Sequence, residues 1–413
     1  MKFLPLAALL LLSSSSASAA FEQRLLASPE VQLAQKLGVN SVTYAGGVLT
    51  ASVTQQLSAQ RAAPLTVQQV QAALKAQGLS PQLASRVTAL NTVTVAYSAP
   101  QVARYAGAVE DVLDGQTWPH TISADFQRGQ VAVSLDVKHH EAFKKLLGSR
   151  VPAAALRLGG APQLRTLSDN GSPSTNQYIQ ERVRPWGGGA RINSGGLECS
   201  AGWFGVKNGE TYLVTAAHCV NPSRTTSFYQ YLAGDGDLIG ATTNVHRSGT
   251  DAIAIRLTTT NYSPEALVAD DWSGRIISRE SQKGGAPAPN MAQKIKLSGA
   301  TSYRREWTWF VDFNRIAVQK QRIQTDSGFV VDAYTSCIVA SYDQAKNPRK
   351  LNGAPQGGDS GGVLLNEASQ VMGTMTAIGP FDPTRPARDW EMAYCFTNWD
   401  DATRQTGVTP ISK

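Results

Sequence analysis

Three short stretches carry residue types that can do chemistry together. Tyr212-Leu213-Val214-Thr215-Ala216-Ala217-His218-Cys219 is a β-rich apolar run ending in a histidine, and Gly249-Thr250-Asp251-Ala252-Ile253-Ala254-Ile255-Arg256-Leu257 sets an acid at the mouth of an alternating strand. Gly357-Gly358-Asp359-Ser360-Gly361-Gly362 surrounds an acid and a serine with glycines. A histidine after a strand is more often structural, and a Gly-rich hexapeptide is often only a turn, so neither motif means much alone. A hydroxyl is a poor nucleophile until a base takes its proton, and the base needs an acid to hold its tautomer and stabilise the imidazolium. Ser360, His218 and Asp251 supply one of each. Asp235 and Asp237, in a Gly-rich turn, compete for the acid role; Asp251 is preferred because a strand start fixes a side chain better than a turn does. The glycines allow dihedrals through which the amides of Gly358 and Ser360 could converge on a developing oxyanion.

Chain order separates the reaction families that use this constellation. Gly358 to Gly362 also satisfies G-x-S-x-G, but the triad of α/β-hydrolases runs serine, acid, histidine. No histidine follows Ser360, the last being His246, so that reading fails. Histidine before aspartate before serine is the order of the chymotrypsin-like fold.

At these stretches the sequence resembles the chymotrypsin-like serine peptidases, in particular the secreted bacterial branch of streptogrisins and alpha-lytic protease. Cys199-Ser200-Ala201-Gly202-Trp203, leading to His218-Cys219, looks like the same branch. The resemblance implies an all-β fold of two six-stranded antiparallel barrels with the site between them. His218 would be the general base, Asp251 its orienting acid, Ser360 the nucleophile, and Gly358 and Ser360 the oxyanion-hole amides. It implies a bridge between Cys199 and Cys219, whose loop of about 20 residues is worth roughly 3 kcal/mol in the chain-entropy model. Cys337 and Cys395 remain and are expected to be joined, although sequence alone does not fix connectivity and Cys337 could be free.

The sequence departs from the family around substrate recognition. Val363 stands where many members have proline, the usual cysteine shortly before the nucleophile is missing, and Tyr342 to Gln356 looks like an inserted loop. Ala354 would sit near the pocket floor, so no acid is there for a Lys or Arg side chain. The strand Thr374 to Ile378 should line the pocket wall and bond substrate backbone, with Thr376, Ala377 and Ile378 as contacts. Ala377 and Ile378, in place of smaller residues, suggest a partly filled, apolar pocket, and no histidine lies near that strand to favour glutamyl specificity.

The elements that position these residues follow from patterning. Residues 187–413 carry many short apolar runs separated by Gly, Pro, Asn and Asp, closing with a helix at Asp400 to Gly407, which is the texture of a sandwich or barrel. Residues 21–186 are set apart as a pro-region: mostly helical over 21–105, a small α+β unit at about 106–160 and a linker over 161–186. Thr66-Val67-Gln68-Gln69 resembles a capping box ahead of Val70, Ala73 and Leu74 at helical spacing. Val131, Val133, Leu135 and Val137 alternate as in a strand, with a helix-like His140 to Leu147 after them. The first half resembles the pro-regions of the branch, which assist folding and inhibit until removed; an unrelated binding domain is the other reading.

Residues 1–20 read as a secretory signal peptide: Met1-Lys2-Phe3, an apolar run Leu4 to Leu12, serines, then Ala17-Ser18-Ala19-Ala20. The run is too short to span a bilayer. The expectation is a secreted, monomeric protein acting on protein or peptide substrates, with its own pro-region as partner and no stable membrane anchor. The 413 residues carry 38 Lys+Arg against 31 Asp+Glu, a formal +7, but from Gly187 onward roughly 22 face roughly 21. With Lys346, Arg349 and Lys350 the only tight basic cluster, nucleic acid is not expected. A charged fraction of 17% excludes a disordered chain. No cofactor or metal is expected: His139-His140 lacks zinc spacing, and Asp235-Gly236-Asp237, which could serve calcium, is more commonly just two acids in a turn. Two alternatives share the residues named: a catalytically silent binding module on a peptidase fold, and an esterase using the same triad.

Overall fold

A computed structural model describes residues 17–45, 47–60, 64–76, 81–162, 165–166, 184–220, 225–230, 237–242, 248–269, 276–286, 294–301, 303–308, 316–324, 330–338, 357–380, 382–384 and 392–413. Most of the proposed signal peptide, the linker core, Asp235, the basic cluster at Lys346 to Lys350, and Ala354 within the proposed inserted loop lie outside them.

The first stretch, expected to be mostly helical, combines helices with a sheet. Helices α1 (Ala17–Leu26), α2 (Pro29–Lys36), α3 (Gln55–Gln60), α4 (Val67–Ala76) and α5 (Pro81–Ala84) are interleaved with β1 (Ser41–Ala45), β2 (Val48–Thr54) and β3 (Ala89–Val95). These strands are short and rich in Val and Thr, whose branched side chains favour the pleated state. The pairing of β2 with β3 is parallel and spans the intervening helices, so no hairpin signal marks it. Helix α4 opens on the expected box, the Gln69 amide donating to Thr66 Oγ1 at 3.2 Å and the Thr66 amide to Gln69 Oε1 at 2.9 Å. Leu33, Leu49, Val53, Val70 and Leu74 form the core.

Next comes the expected α+β unit. Helix α6 (Ala99–Asp114) packs with α1 and α7 (His140–Leu147) on β4 (His120–Asp125), β5 (Gln130–Leu135) and β6 (Leu156–Gly159). Its core holds Phe21, Val102, Ala106, Val109, Ile122, Val133 and Phe143. Val137, expected as the last inward residue of the alternation, lies instead in a one-turn 3₁₀ segment and is 67% exposed. Asp136 ends the strand by accepting from the Lys138 amide, which turns the chain.

Two large sheets make the second half. After β7 (Arg165–Thr166) and β8 (Trp186–Gly188) come β9 (Arg191–Ser194), β10 (Leu197–Ser200), β11 (Trp203–Lys207), β12 (Glu210–Thr215), β13 (Ser227–Gln230), β14 (Asp237–Ala241), β15 (Ser248–Gly249) and β16 (Ile253–Leu257). The first sheet runs β10-β9-β13-β14-β16-β12-β11 and ends on β26 (Thr409–Pro410). β17 (Tyr262–Ala269), β18 (Ile276–Ser281) and β8 form a small third sheet. The second large sheet uses β19 (Lys294–Gly299), β20 (Tyr303–Thr308), β21 (Ile316–Gln324), β22 (Val330–Ile338), β23 (Val363–Asn366), β24 (Val371–Pro380) and β25 (Met392–Asn398), in the order β20-β19-β23-β24-β25-β22-β21. Trp203 and Val214 of the first sheet share one apolar cluster with Val363, Leu365 and Val371 of the second, which locks the two together. The closing helix α8 (Trp399–Thr406) ends on Gly407 at φ +73°, a left-handed cap that glycine adopts without strain. The mainly antiparallel all-β fold with a C-terminal helix is the class expected. What the patterning did not indicate is that the second sheet continues through β21 into β4, β5 and β6 of the α+β unit.

Candidate active site

The three chemical residues arrive from strand ends at the junction of the two large sheets. β12 and β16 are antiparallel neighbours with Thr215 opposite Ile253, so the residues just beyond Thr215 and just before Ile253 flank the same end of the pair. His218 sits in the short 3₁₀ turn after β12, and Asp251 stands two residues ahead of β16. Ser360 comes from the other sheet, in the turn that enters β23. All three are fully buried. Asp251 holds the histidine twice: Oδ1 accepts from the His218 backbone amide at 3.0 Å, and Oδ2 lies 2.7 Å from Nδ1. His218 Nε2 is 2.6 Å from Ser360 Oγ. With Nδ1–H donating to the carboxylate, Nε2 keeps its lone pair for the serine proton, which is the tautomer a general base needs. Among the competing acids, Asp237 opens β14 and Asp235 lies outside the described residues.

The serine turn is pinned from both sheets. Gly358 has φ +94°, and a Cβ there would run into Thr301 Oγ1, so both backbone and space require glycine. The Gly358 carbonyl accepts from Ser200 Oγ at 2.7 Å, and Ser200 Oγ in turn accepts from the Ala300 amide at 2.7 Å. The Ser200 amide donates to the Ser360 carbonyl at 2.8 Å. Thr301 adds two bonds, its amide to Asp359 Oδ1 at 2.9 Å and its hydroxyl to the Gly357 carbonyl at 2.7 Å. The peptide units that carry the Gly358 and Ser360 amides are held through their own carbonyls, that of Gly357 by the Thr301 hydroxyl and that of Asp359 by the Gly362 amide at 2.9 Å. Ser200 and Thr301 were not singled out from sequence; only the position of Ser200 directly after Cys199 hinted at its place.

β24 leads away from the nucleophile. The Gly361 amide donates to the Met375 carbonyl at 2.7 Å, and the Met375 amide to the Gly362 carbonyl at 3.0 Å. Thr376, Ala377 and Ile378 follow, all buried. The Thr376 and Thr397 hydroxyls lie 3.2 Å apart, and Thr397 Oγ1 also reaches the Asp251 carbonyl at 3.4 Å. Ile378 belongs to one apolar cluster with Leu364, Met375 and Phe396, and Ala377 to another with Ala393, Cys337 and Cys395. Ala354 lies outside the described residues.

Both cysteine pairs are joined. Cys199–Cys219 ties the end of β10 to the residue after His218. Cys337–Cys395 crosses β22 and β25 at directly opposed positions, with Gln321 Nε2 donating to both sulfurs at 3.1 and 3.2 Å. Cys199, His218 and Cys219 bring metal-type atoms together, but both sulfurs are spent in the disulfide and leave no thiolate to bind an ion.

No family model matches the chain, and neither does any curated protein. Among solved structures it is similar to a serine protease described as specific for glutamic acid and as using a histidine triad in substrate binding. That pair is 23% identical at a TM-score of 0.38, over 55% of this chain and 100% of the other. Protease A of Thermobifida fusca is 19% identical at a TM-score of 0.36, over 55% of this chain and 98% of that one. The chymotrypsin of Cellulomonas bogoriensis is 20% identical at a TM-score of 0.34, over 55% and 98%.

Proposed function

We propose that this chain is the precursor of an exported serine endopeptidase that hydrolyses peptide bonds through an acyl-enzyme on Ser360. The observation that carries the reading is the unbroken relay of Asp251 Oδ2, His218 Nδ1, His218 Nε2 and Ser360 Oγ, with steps of 2.7 and 2.6 Å. His218 takes the Ser360 proton as Oγ attacks the carbonyl carbon, and Asp251 stabilises the imidazolium. The amides of Gly358 and Ser360 receive the charge that builds on the carbonyl oxygen. His218 then protonates the leaving amine, and water repeats the cycle on the ester.

Residues 21–186 act as the pro-region and 187–413 as the peptidase. Pairing of β4 with β21, and of β7 with β24, supports a first half built onto the second. Export rests on the leader-like start of the sequence and fits two disulfides. Among the described residues no helix is long and apolar enough to cross a membrane.

The test is active-site labelling with a fluorophosphonate, together with amide hydrolysis by the matured protein. Wild type should label and hydrolyse. Ser360→Ala should not label and should lose as much as about a millionfold in kcat. A variant that kept most of its activity would remove Ser360 from the nucleophile role.

A further inference from the structure

The two amides proposed to meet the oxyanion are not held alike. The Ser360 amide belongs to the peptide that begins at Asp359, whose carbonyl accepts from the Gly362 amide at 2.9 Å. Both partners are backbone of one turn, so no side chain is needed to aim that donor. The Gly358 amide belongs to the peptide that begins at Gly357, whose carbonyl accepts from the Thr301 hydroxyl at 2.7 Å. That peptide lies between two glycines, and with no Cβ on either side little in its own covalent structure opposes rotation. The N–H and the C=O of one planar trans peptide point in opposite directions. A partner that fixes where the Gly357 carbonyl faces therefore also fixes where the Gly358 amide faces.

Thr301 is itself placed by the second large sheet. β19 and β23 are antiparallel with Ser298 opposite Val363, so Thr301, just past the end of β19, and Ser360, just before the start of β23, leave the same end of the pair. The Thr301 amide donates to Asp359 Oδ1 at 2.9 Å, and Asp359 is fully buried. A Cβ at Gly299 would run into that same carboxylate oxygen, and one at Gly358 would run into Thr301 Oγ1. The two turns thus touch at two points, and the hydroxyl reaches the Gly357 carbonyl from a fixed position. Ser200 braces the Gly358 carbonyl, one peptide further on, whereas Thr301 is the side chain on the donor peptide itself.

Given the acyl transfer proposed for Ser360, on which this rests, we infer that Thr301 is a positioning residue for the oxyanion hole: by holding the Gly357 carbonyl, its hydroxyl turns the Gly358 amide toward the oxygen that becomes charged. Thr301 touches no reacting atom. Without the hydroxyl the peptide is free to rotate, and the half-buried Gly357 can turn its carbonyl to water. One donor of the two is then misdirected at the step where charge builds, not at the step where substrate binds.

The experiment measures steady-state hydrolysis by wild type, Thr301→Val, Thr301→Ala and Thr301→Ser, each made as the full chain, on the peptide amide that wild type cleaves best in a mixed-sequence panel. Rates are taken per Ser360 labelled by fluorophosphonate at completion, so a misfolded fraction drops out. Val and Ala should lower kcat by about tenfold to a hundredfold with KM within about twofold, less than the loss of a donor outright, which costs about a hundredfold to a thousandfold. Thr301→Ser keeps the donor and should stay within about threefold of wild type. The matching peptide trifluoromethyl ketone, to whose carbon Ser360 Oγ adds so that the ketone oxygen becomes the anion, should bind Val and Ala more weakly by about the same factor as kcat falls. The midpoint of the pH profile of kcat/KM should not move, because His218 and Asp251 keep their bonds. Unchanged kcat in Val and Ala, an equal fall in Ser, a matching rise in KM, or a moved pH midpoint each overturns the inference and leaves the peptidase reading standing. Failure of Val and Ala to label at all makes the hydroxyl a folding requirement and overturns it as well. Wild type that neither hydrolyses nor labels overturns both.

Discussion

Ser200 does at the scale of one residue what three chain segments require together. Its amide holds the Ser360 carbonyl, its hydroxyl joins the Gly358 carbonyl to the Ala300 amide, and its carbonyl accepts from Thr215 Oγ1 at 2.9 Å. Ser200→Ala removes the hydroxyl and leaves the Ala300 amide and Gly358 carbonyl to find other partners. The Gly358–Asp359 peptide, which joins the two units that present the Gly358 and Ser360 amides, then loses its brace, while β24 keeps its place. The expected outcome is a kcat about tenfold lower with KM nearly unchanged, the size of one lost buried hydrogen bond expressed in the transition state. Steady-state kinetics on a peptide amide checks it, and an equal rise in KM would show a loss of substrate binding instead. The meeting of Asp251, His218 and Ser360 was legible in the sequence because the chemistry proposed for them demands three residue types in a recognisable order. Ser200 was not, because its role comes from spatial neighbours at 300 and 358 that no local pattern links to it.

At the scale of elements, β24, the strand beside the Ser360 turn, is backed by a crosslinked pair of strands. Cys337–Cys395 joins β22 and β25 at a sequence separation of 58, and β25 backs β24 at Ala377. A closed loop of that length is worth about 4 kcal/mol in the chain-entropy model. Cys337→Ala with Cys395→Ala should therefore lower stability by up to about that amount, measured as a denaturant midpoint in the uncleaved Ser360→Ala chain. The relay is held by β12, β16 and the Ser200 contacts, so the same pair of changes in the active enzyme should leave fluorophosphonate labelling complete at low denaturant. A loss of labelling there would place the crosslink in the upkeep of the relay itself. Elements with their own local chemistry were readable: the Thr66 box, the strand over Val131 to Leu135 and the Gly407 stop all recur in the structure, although β5 is buried on both faces and not on alternate residues. β1 to β3 were missed because a helix-rich composition around them outweighed three short Val- and Thr-rich runs. The sheet that runs from β21 into β4 was unreadable, since Gln321 and Thr121 pair across a separation at which sequence gives no register signal.

For the whole molecule, that seam is a buried electrostatic unit. α6 brings Glu110 and Asp114, β4 brings His120, β21 brings Lys320 and Arg322, β22 brings Asp332 and Tyr334, and α1 lays Arg24 over the Tyr334 ring. The Tyr334 hydroxyl donates to Glu110 Oε1 at 2.5 Å, and Lys320 Nζ sits 2.9 Å from Asp332 Oδ1. Burial pushes the Glu110 carboxyl up to about 7, against the opposing pull of Tyr334 and Lys320. Burial likewise pushes His120 down to about 4, with Nδ1–H donating to the Trp118 carbonyl. A carboxyl with a raised pKa favours the folded state fully below its unfolded value near 4.5, and that contribution is lost as pH rises through 7. A histidine with a lowered pKa contributes fully above 6.5, and that contribution is lost as pH falls through 4. Between pH 4.5 and 6.5 folding therefore takes up a proton at Glu110 and releases one at His120, and the two slopes oppose each other. Each change made alone in the uncleaved Ser360→Ala chain should expose the other slope. Relative to that parent, Glu110→Gln should become less stable as pH is lowered across this window, and His120→Asn less stable as pH is raised across it. The swing should be at most about 3 kcal/mol in each case, read from denaturant midpoints at the two ends of the window. Groups common to both chains drop out of the comparison. Parallel profiles for all three chains would mean that Glu110 and His120 keep their ordinary affinities for protons, and that the seam is held by packing around Phe21 and Tyr334 and not by its buried charges.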